Sequence, residues 1–250
     1  MARRVPEGPP PPPVVQRIRL RYAKRGRLRF TSHRDFARAF ERALRRAEVP
    51  MAYSAGFTPH PKISYIGAAP TGVASEAEYV EIGLAREVDP EQLRVALDAA
   101  LPPGIDVVSA IAVAAEGAGS LADRMHASHW RIELPGVSAE QAGKAAEAFL
   151  AQQSWEVERL TKDGKRTLDA RTPVVTLSVS SAGDANDDDA HAILDLVVRQ
   201  VTPAVRPDDV LAALRAVAGL APTAPPLAVR RAQGPLDAAG TVADPFADIR

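Results

Sequence analysis

The nine residues QRIRLRYAK, positions 16–24, alternate strictly in character. Ile18, Leu20 and Tyr22 fall on one side of an extended chain, and Arg17, Arg19 and Arg21 fall on the other. A two-residue period fits a strand and no helix, so this stretch commits the chain to a sheet with one apolar and one basic face. Gly26 makes a turn, and RLRF reads as a short returning strand. A helix is expected over residues 33–48, then strands at KISYIGA and AEYVEIGLA. Asp89 and Pro90 open a second helix as N-cap and first-turn residue. That helix ends at LPPG, and IDVVSAIAV closes the set.

The order strand, helix, strand, strand, helix, strand then recurs. HWRIELP is a strand, SAEQAGKAAEAFLAQ a helix, and WEVERLT, PVVTLSVSS and AHAILDLVVRQ are strands. RPDDVLAALRAVAG is a helix and PLAVRRA a strand, so this half holds one strand too many for that order. The helix starts echo each other. Asp89-Pro90-Glu91 and Arg206-Pro207-Asp208-Asp209 both set proline in the first turn and carboxylates over the positive helix end. The expected fold class is α+β: two ferredoxin-like βαββαβ units in tandem, with antiparallel sheets and helices on one face. The boundaries are a Pro-rich arm over 1–15, a first unit over 16–116, a connection over 117–128, a second unit over 129–233 and a loose tail over 234–250. GDANDDD, residues 183–189, reads as a solvated acidic turn.

Charge is distributed unevenly. Between Arg17 and Arg46, twelve Lys or Arg face only Asp35 and Glu41, a local excess of +10 in a chain that is neutral overall. The remainder therefore carries −10, and such asymmetry points to an anionic partner, nucleic acid first. The other reading is a set of solvated arginines. Cysteine is absent, which removes disulfides, zinc-thiolate sites, iron–sulfur ligation and thiol catalysis. Of the five histidines only His126 and His129 lie close together, and they have no carboxylate at ligand spacing. No metal and no cofactor is expected. No Gly-x-Ser-x-Gly elbow, Walker loop or GxGxxG occurs. With 46% hydrophobic residues the chain can bury a core. No apolar run approaches the roughly 18 residues of a membrane span, and the N-terminus lacks a signal peptide's apolar stretch, so a cytoplasmic location is expected.

Residues 29–66 carry the candidate site. Ser32 is an N-cap, with Asp35 as the shorter stand-in for the glutamate of a capping box. Phe36, Ala39, Phe40, Ala43, Leu44 and Ala47 form the apolar stripe, and Arg34, Arg38, Arg42 and Arg45 the opposite side. Like charges at i,i+4 cost a little stability, which a helix selected for stability alone would avoid. His33, in the first turn, is either a base, a donor to phosphate, or a residue that fixes the turn. In YSAGFTPHPKIS, Gly56 permits positive φ, and Pro59 and Pro61 hold Thr58 and His60 extended. The stiff loop fixes Phe57, His60 and Lys62, which suit a base and its phosphate. The alternative is a structural loop with Phe57 tucked into the core.

The residues Ser32-His33 with Asp35, Glu41-Arg42-Ala43, Tyr53-Ser54, Gly56-Phe57, Pro59-His60-Pro61, Ser75-Glu76 and Glu78-Tyr79 appear in an order that resembles the radical SAM-associated protein family. This is a domain of unknown function, fused to or encoded beside cobalamin-binding-type radical SAM proteins. The likeness extends through Lys162, Lys165, Asp169 and Arg171, and covers about residues 15–231. Arg34, Ala55 and Thr58 depart from the family pattern. The resemblance implies a separate radical SAM partner and no particular activity for this chain. Lacking cysteine, the chain cannot hold the cluster itself.

Three functions follow. The first is an RNA-binding accessory for tRNA or rRNA modification. Arg17, Arg19, Arg21, Arg38, Arg42 and Lys62 would meet phosphates, Phe57 and Tyr53 would stack on bases, and Lys165, Arg166 and Arg171 would form a second basic patch. The second, by fold analogy with CRISPR repeat-processing endoribonucleases, is a metal-independent nuclease with His33 as base and His60 or Tyr53 assisting. The third is a protein adaptor for the radical SAM partner.

Overall fold

In the computed structural model, structure is described for residues 11–114, 119–161, 164–182 and 191–247. These form a mixed α+β protein with antiparallel strand pairing and four α-helices. The chain divides into two compact units. One runs to Asp123 and takes in the stretch from Phe246, and the other is Arg124–Pro245.

The first unit holds β1 (Gln16–Lys24), α1 (His33–Arg46), β2 (Ile63–Ile66), β3 (Ala74–Leu84), α2 (Pro90–Ala100) and β4 (Ile105–Val113). Strand β1 is central, flanked by β4 and β3, and β2 pairs with β3. The apolar side of β1 lies in the core as the alternation requires. Ile18, Leu20 and Tyr22 join Val80, Ile82 and Leu84 of β3 beneath Phe36, Phe40 and Leu44 of α1 and Leu93 and Leu97 of α2. Tyr22 stacks on Phe36, with ring centroids 4.3 Å apart. The expected strand at RLRF is instead a 3-10 turn, Gly26–Phe30. Leu28 N–H donates to the Arg25 carbonyl and Thr31 N–H to that of Leu28, so the backbone closes on itself before it can reach a neighbour.

The second unit holds β5 (Ala127–Leu134), α3 (Ala139–Leu150), β6 (Glu156–Thr161), β7 (Gly164–Asp169), β8 (Val174–Ala182), β9 (His191–Arg199), α4 (Pro207–Ala218) and β10 (Leu227–Gly234). Its sheet runs β10-β5-β9-β8. The surplus strand β6 has left this sheet. It pairs with β7, which the apolar pattern does not announce, in a separate hairpin. Arg159 of that hairpin forms a largely buried ion pair with Asp209 at the start of α4.

Described residues near both ends of the chain make defined contacts. Val15 N–H donates to the Leu84 carbonyl at 2.8 Å, so the end of the arm lies along the sheet. Toward the C-terminus, Leu236 bridges Val242, and Phe246 is buried with its ring edge against Tyr79 at 5.3 Å. The acidic turn at 183–189, most of the arm and Lys162 lie outside the described residues. No described helix is long and apolar enough to cross a membrane.

Candidate functional site

The second face of β1 begins as an arginine row and ends as something narrower. Arg19 stands opposite Glu81 of β3 and is wholly buried. Its Nε donates to Glu81 Oε2 at 2.7 Å and its Nη2 to the Gly119 carbonyl at 2.6 Å. Arg21 Nε donates to the Glu76 carbonyl at 2.8 Å. Arg19 is thus spent inside the protein, whereas Arg21 is half-buried with its Nε engaged. Charge buried in low dielectric needs a partner, and here Glu81 supplies it. Arg17 keeps 41% of its side-chain surface exposed, with Nη1 3.4 Å from Glu81 Oε1.

The proline-bounded loop meets Arg17 on this face. Ser54 N–H donates to the His60 carbonyl at 2.8 Å, and His60 N–H donates to Ser54 Oγ at 3.0 Å. Lys62 N–H donates to the Ala52 carbonyl, and Gly83 N–H to that of Lys62. These bonds clasp the loop at its base and lay Lys62 beside the end of β3. Gly56 takes φ 135°, as the loop requires. Phe57 is 69% exposed, so it is not tucked into the core, and Tyr53 is exposed as well. The result is a groove of about 370 Å³ in which Arg17, Ser54, His60, Pro61, Lys62 and Glu81 converge. Pro59 lies in the exposed part of the loop.

The helix arginines do not share this groove. Helix α1 packs on the face that holds Ile18 and Leu20, whereas Arg17 and Glu81 lie on the alternate face. Arg34, Arg38 and Arg42 are exposed on the helix side, with Arg38 3.9 Å from Asp35. Ser32 and Asp35 serve the helix start. Ser32 Oγ accepts from Asp35 N–H at 3.2 Å and donates to Asp35 Oδ2 at 2.7 Å. His33 is separated by the sheet from His60, so the two do not form one acid–base pair.

His33 instead sets its ring edge-on to Tyr65, at 5.0 Å between centroids. Tyr65 was not among the expected site residues, although its alternation with Ile63 in KISYIGA aims it under α1. Its hydroxyl is buried, with no hydrogen-bond partner among the described residues. Burial, then the Glu41 carboxylate, push its pKa well above the ordinary tyrosine value.

The second basic patch dissolves in a similar way. Lys165 pairs with Glu158 at 2.8 Å. Arg171 Nη2 donates to the Leu150 carbonyl at the end of α3, at 3.1 Å, with its guanidinium over the Phe149 ring. Arg166 is exposed on β7. Asp169 holds the adjoining turn. Burial would raise its pKa, but the Thr172 hydroxyl and the N–H groups of Trp155, Arg171 and Thr172 donate to it and hold it below the ordinary aspartate value. A depressed folded pKa gives stability that is present at neutral pH and lost as pH falls through it. Asp169→Asn is therefore expected to lower Tm at pH 7. The difference from wild type should shrink below about pH 4. A gap that widens on acidification would contradict this. His129 Nε2 lies 3.1 Å from Asp195 Oδ1, and the described residues contain no cluster of three metal-type ligands.

The geometry defines an antiparallel α+β protein with a polar groove flanked by cations. Within that class, the chain belongs to a family described as an uncharacterized protein conserved in bacteria (DUF2344), which matches residues 17–207. No curated protein matches the chain. Among solved structures it is similar to an unknown protein from Galdieria sulphuraria, at 15% identity over 81% of this chain and 91% of that one, with a TM-score of 0.24. It is also similar to DyPB from Rhodococcus jostii RHA1, at 12% identity over 82% and 84%, with a TM-score of 0.24. At such scores neither likeness carries an argument.

Proposed function

We propose that this protein is an RNA-binding accessory that works beside a separate radical SAM enzyme in the modification of tRNA or rRNA. The observation that carries RNA binding is the meeting of Arg17, His60 and Lys62 in one groove, with Phe57 exposed on the stiff loop at its margin. Cations hold phosphates regardless of sequence, and an exposed aromatic ring stacks on an unpaired base. The radical SAM partner and a cytoplasmic setting rest on the motif run from Ser32 to Tyr79 and on its family resemblance. The strand order β4-β1-β3 with β2 beyond, and β10-β5-β9-β8 in the second unit, supports a ferredoxin-like plan for each, the β6–β7 hairpin being an insertion.

Short single-stranded RNA should bind, and affinity should fall steeply between 50 and 200 mM salt as phosphate contacts release counterions. A gel-shift series without a complex even at low salt would remove the reading. Co-purification with the radical SAM protein tests the partner separately.

A further inference from the structure

Gly83 and Val14 lie at the Arg17 end of the groove. Gly83 of β3 is the register partner of Arg17, and its N–H is bonded to the Lys62 carbonyl. A side chain at Gly83 would meet the Lys62 Cβ and a Val14 methyl, each 3.3 Å from the position of a Cβ. Val14 therefore packs over Gly83, and Arg17 and Lys62 flank the groove beside it. Two residues along β3, about 6.8 Å away on the same face, stands Glu81, with Ser64 of β2 opposite it. Ser64 is exposed, and both residues line the groove.

This second position differs in chemistry from the first. Arg19 occupies Glu81 Oε2 at 2.7 Å, while Arg17 approaches Oε1 only loosely, at 3.4 Å. A carboxylate accepts at about four sites, so Oε1 retains capacity for a donor from outside. A phosphate oxygen offers no proton to it, and neither does the C2′ of a deoxyribose. A ribose 2′-hydroxyl offers one, and it can accept in return from Ser64 Oγ. The buried Arg19 offsets the charge of Glu81, so the carboxylate does not repel the phosphate next to it.

We infer that the groove reads the sugar as well as the charge: a nucleotide seats its phosphate between Arg17 and Lys62 and its 2′-hydroxyl on Glu81 and Ser64. This inference rests on the RNA-binding reading and adds RNA selectivity to it. Glu81 is a poor target for substitution, because its loss would take from the buried Arg19 guanidinium its neighbouring carboxylate.

The test therefore changes the ligand and the exposed Ser64. Fluorescence anisotropy compares RNA, DNA and 2′-fluoro RNA of one single-stranded sequence, the last keeping an acceptor but having no proton to donate. RNA is expected to bind about tenfold more tightly than DNA, consistent with one hydrogen bond to a charged group. The 2′-fluoro strand should fall to the DNA level. Ser64→Ala should narrow the gap by weakening RNA and leaving DNA unchanged. Equal binding of all three strands by the wild-type protein overturns the sugar assignment while phosphate binding stands. A preference for RNA that 2′-fluoro RNA retains overturns the role of Glu81, and one that Ser64→Ala leaves intact overturns that of Ser64. Failure of every strand to bind overturns the RNA-binding reading itself.

Discussion

Asp209→Ala is expected to destabilise the second unit by about 3–5 kcal/mol, the usual cost of leaving one half of a buried ion pair without its partner. The side chains of Asp209 and Arg159 are only 6% and 16% exposed. Asp209 Oδ1 accepts from Arg159 Nε at 2.9 Å, and Oδ2 accepts both from Arg159 Nη2 and from the Arg206 backbone N–H, the latter at 2.7 Å. Arg159 also donates to the Ala204 carbonyl at 2.7 Å. The carboxylate thus fixes the start of α4 and ties the β6–β7 hairpin to it. Alanine leaves a guanidinium facing a helix N-terminus, whose partial charge is also positive. Urea unfolding reads the effect, and a loss below about 1 kcal/mol would show the pair to be dispensable. Replacing both partners by apolar residues of similar size should cost far less, because no charge is then stranded.

Lys62→Glu is expected to lower RNA affinity on the order of 10- to 100-fold and to reduce the salt slope by about one ion or more, since a phosphate contact becomes a repulsion. Arg38→Glu, on the helix side of the sheet, should change affinity by less than about threefold at physiological salt, where charges beyond roughly 8 Å are screened. The pair of variants separates the groove from the arginine helix as the RNA contact. A larger loss from Arg38→Glu would move the contact to α1.

Much of the fold was legible because it is written in local periods. The alternation in β1, the proline-led starts of α2 and α4, and the Ser32 cap all follow from neighbouring residues. The failures have a common cause. Strand β7, GKRTLD, buries only Leu168, so it lacks a period to read. Arg19 looked like a surface arginine because its partner Glu81 lies 62 residues away. Arg171 looked like part of a patch because nothing local reveals that it closes the end of α3. The site divided in a comparable way. Residue types suited to an anion were visible, but the sheet that puts Lys62 and Arg38 on opposite faces is a product of tertiary pairing. Tyr65 was missed because its neighbours give it away only once α1 is laid over β2.

The clasp between Ser54 and His60 uses main-chain groups and one hydroxyl, and leaves the intervening tip unburdened. Ala55 and Thr58 both sit exposed in that tip. Side chains at the fingertips can therefore be exchanged while the knuckle holds, without rebuilding the hand.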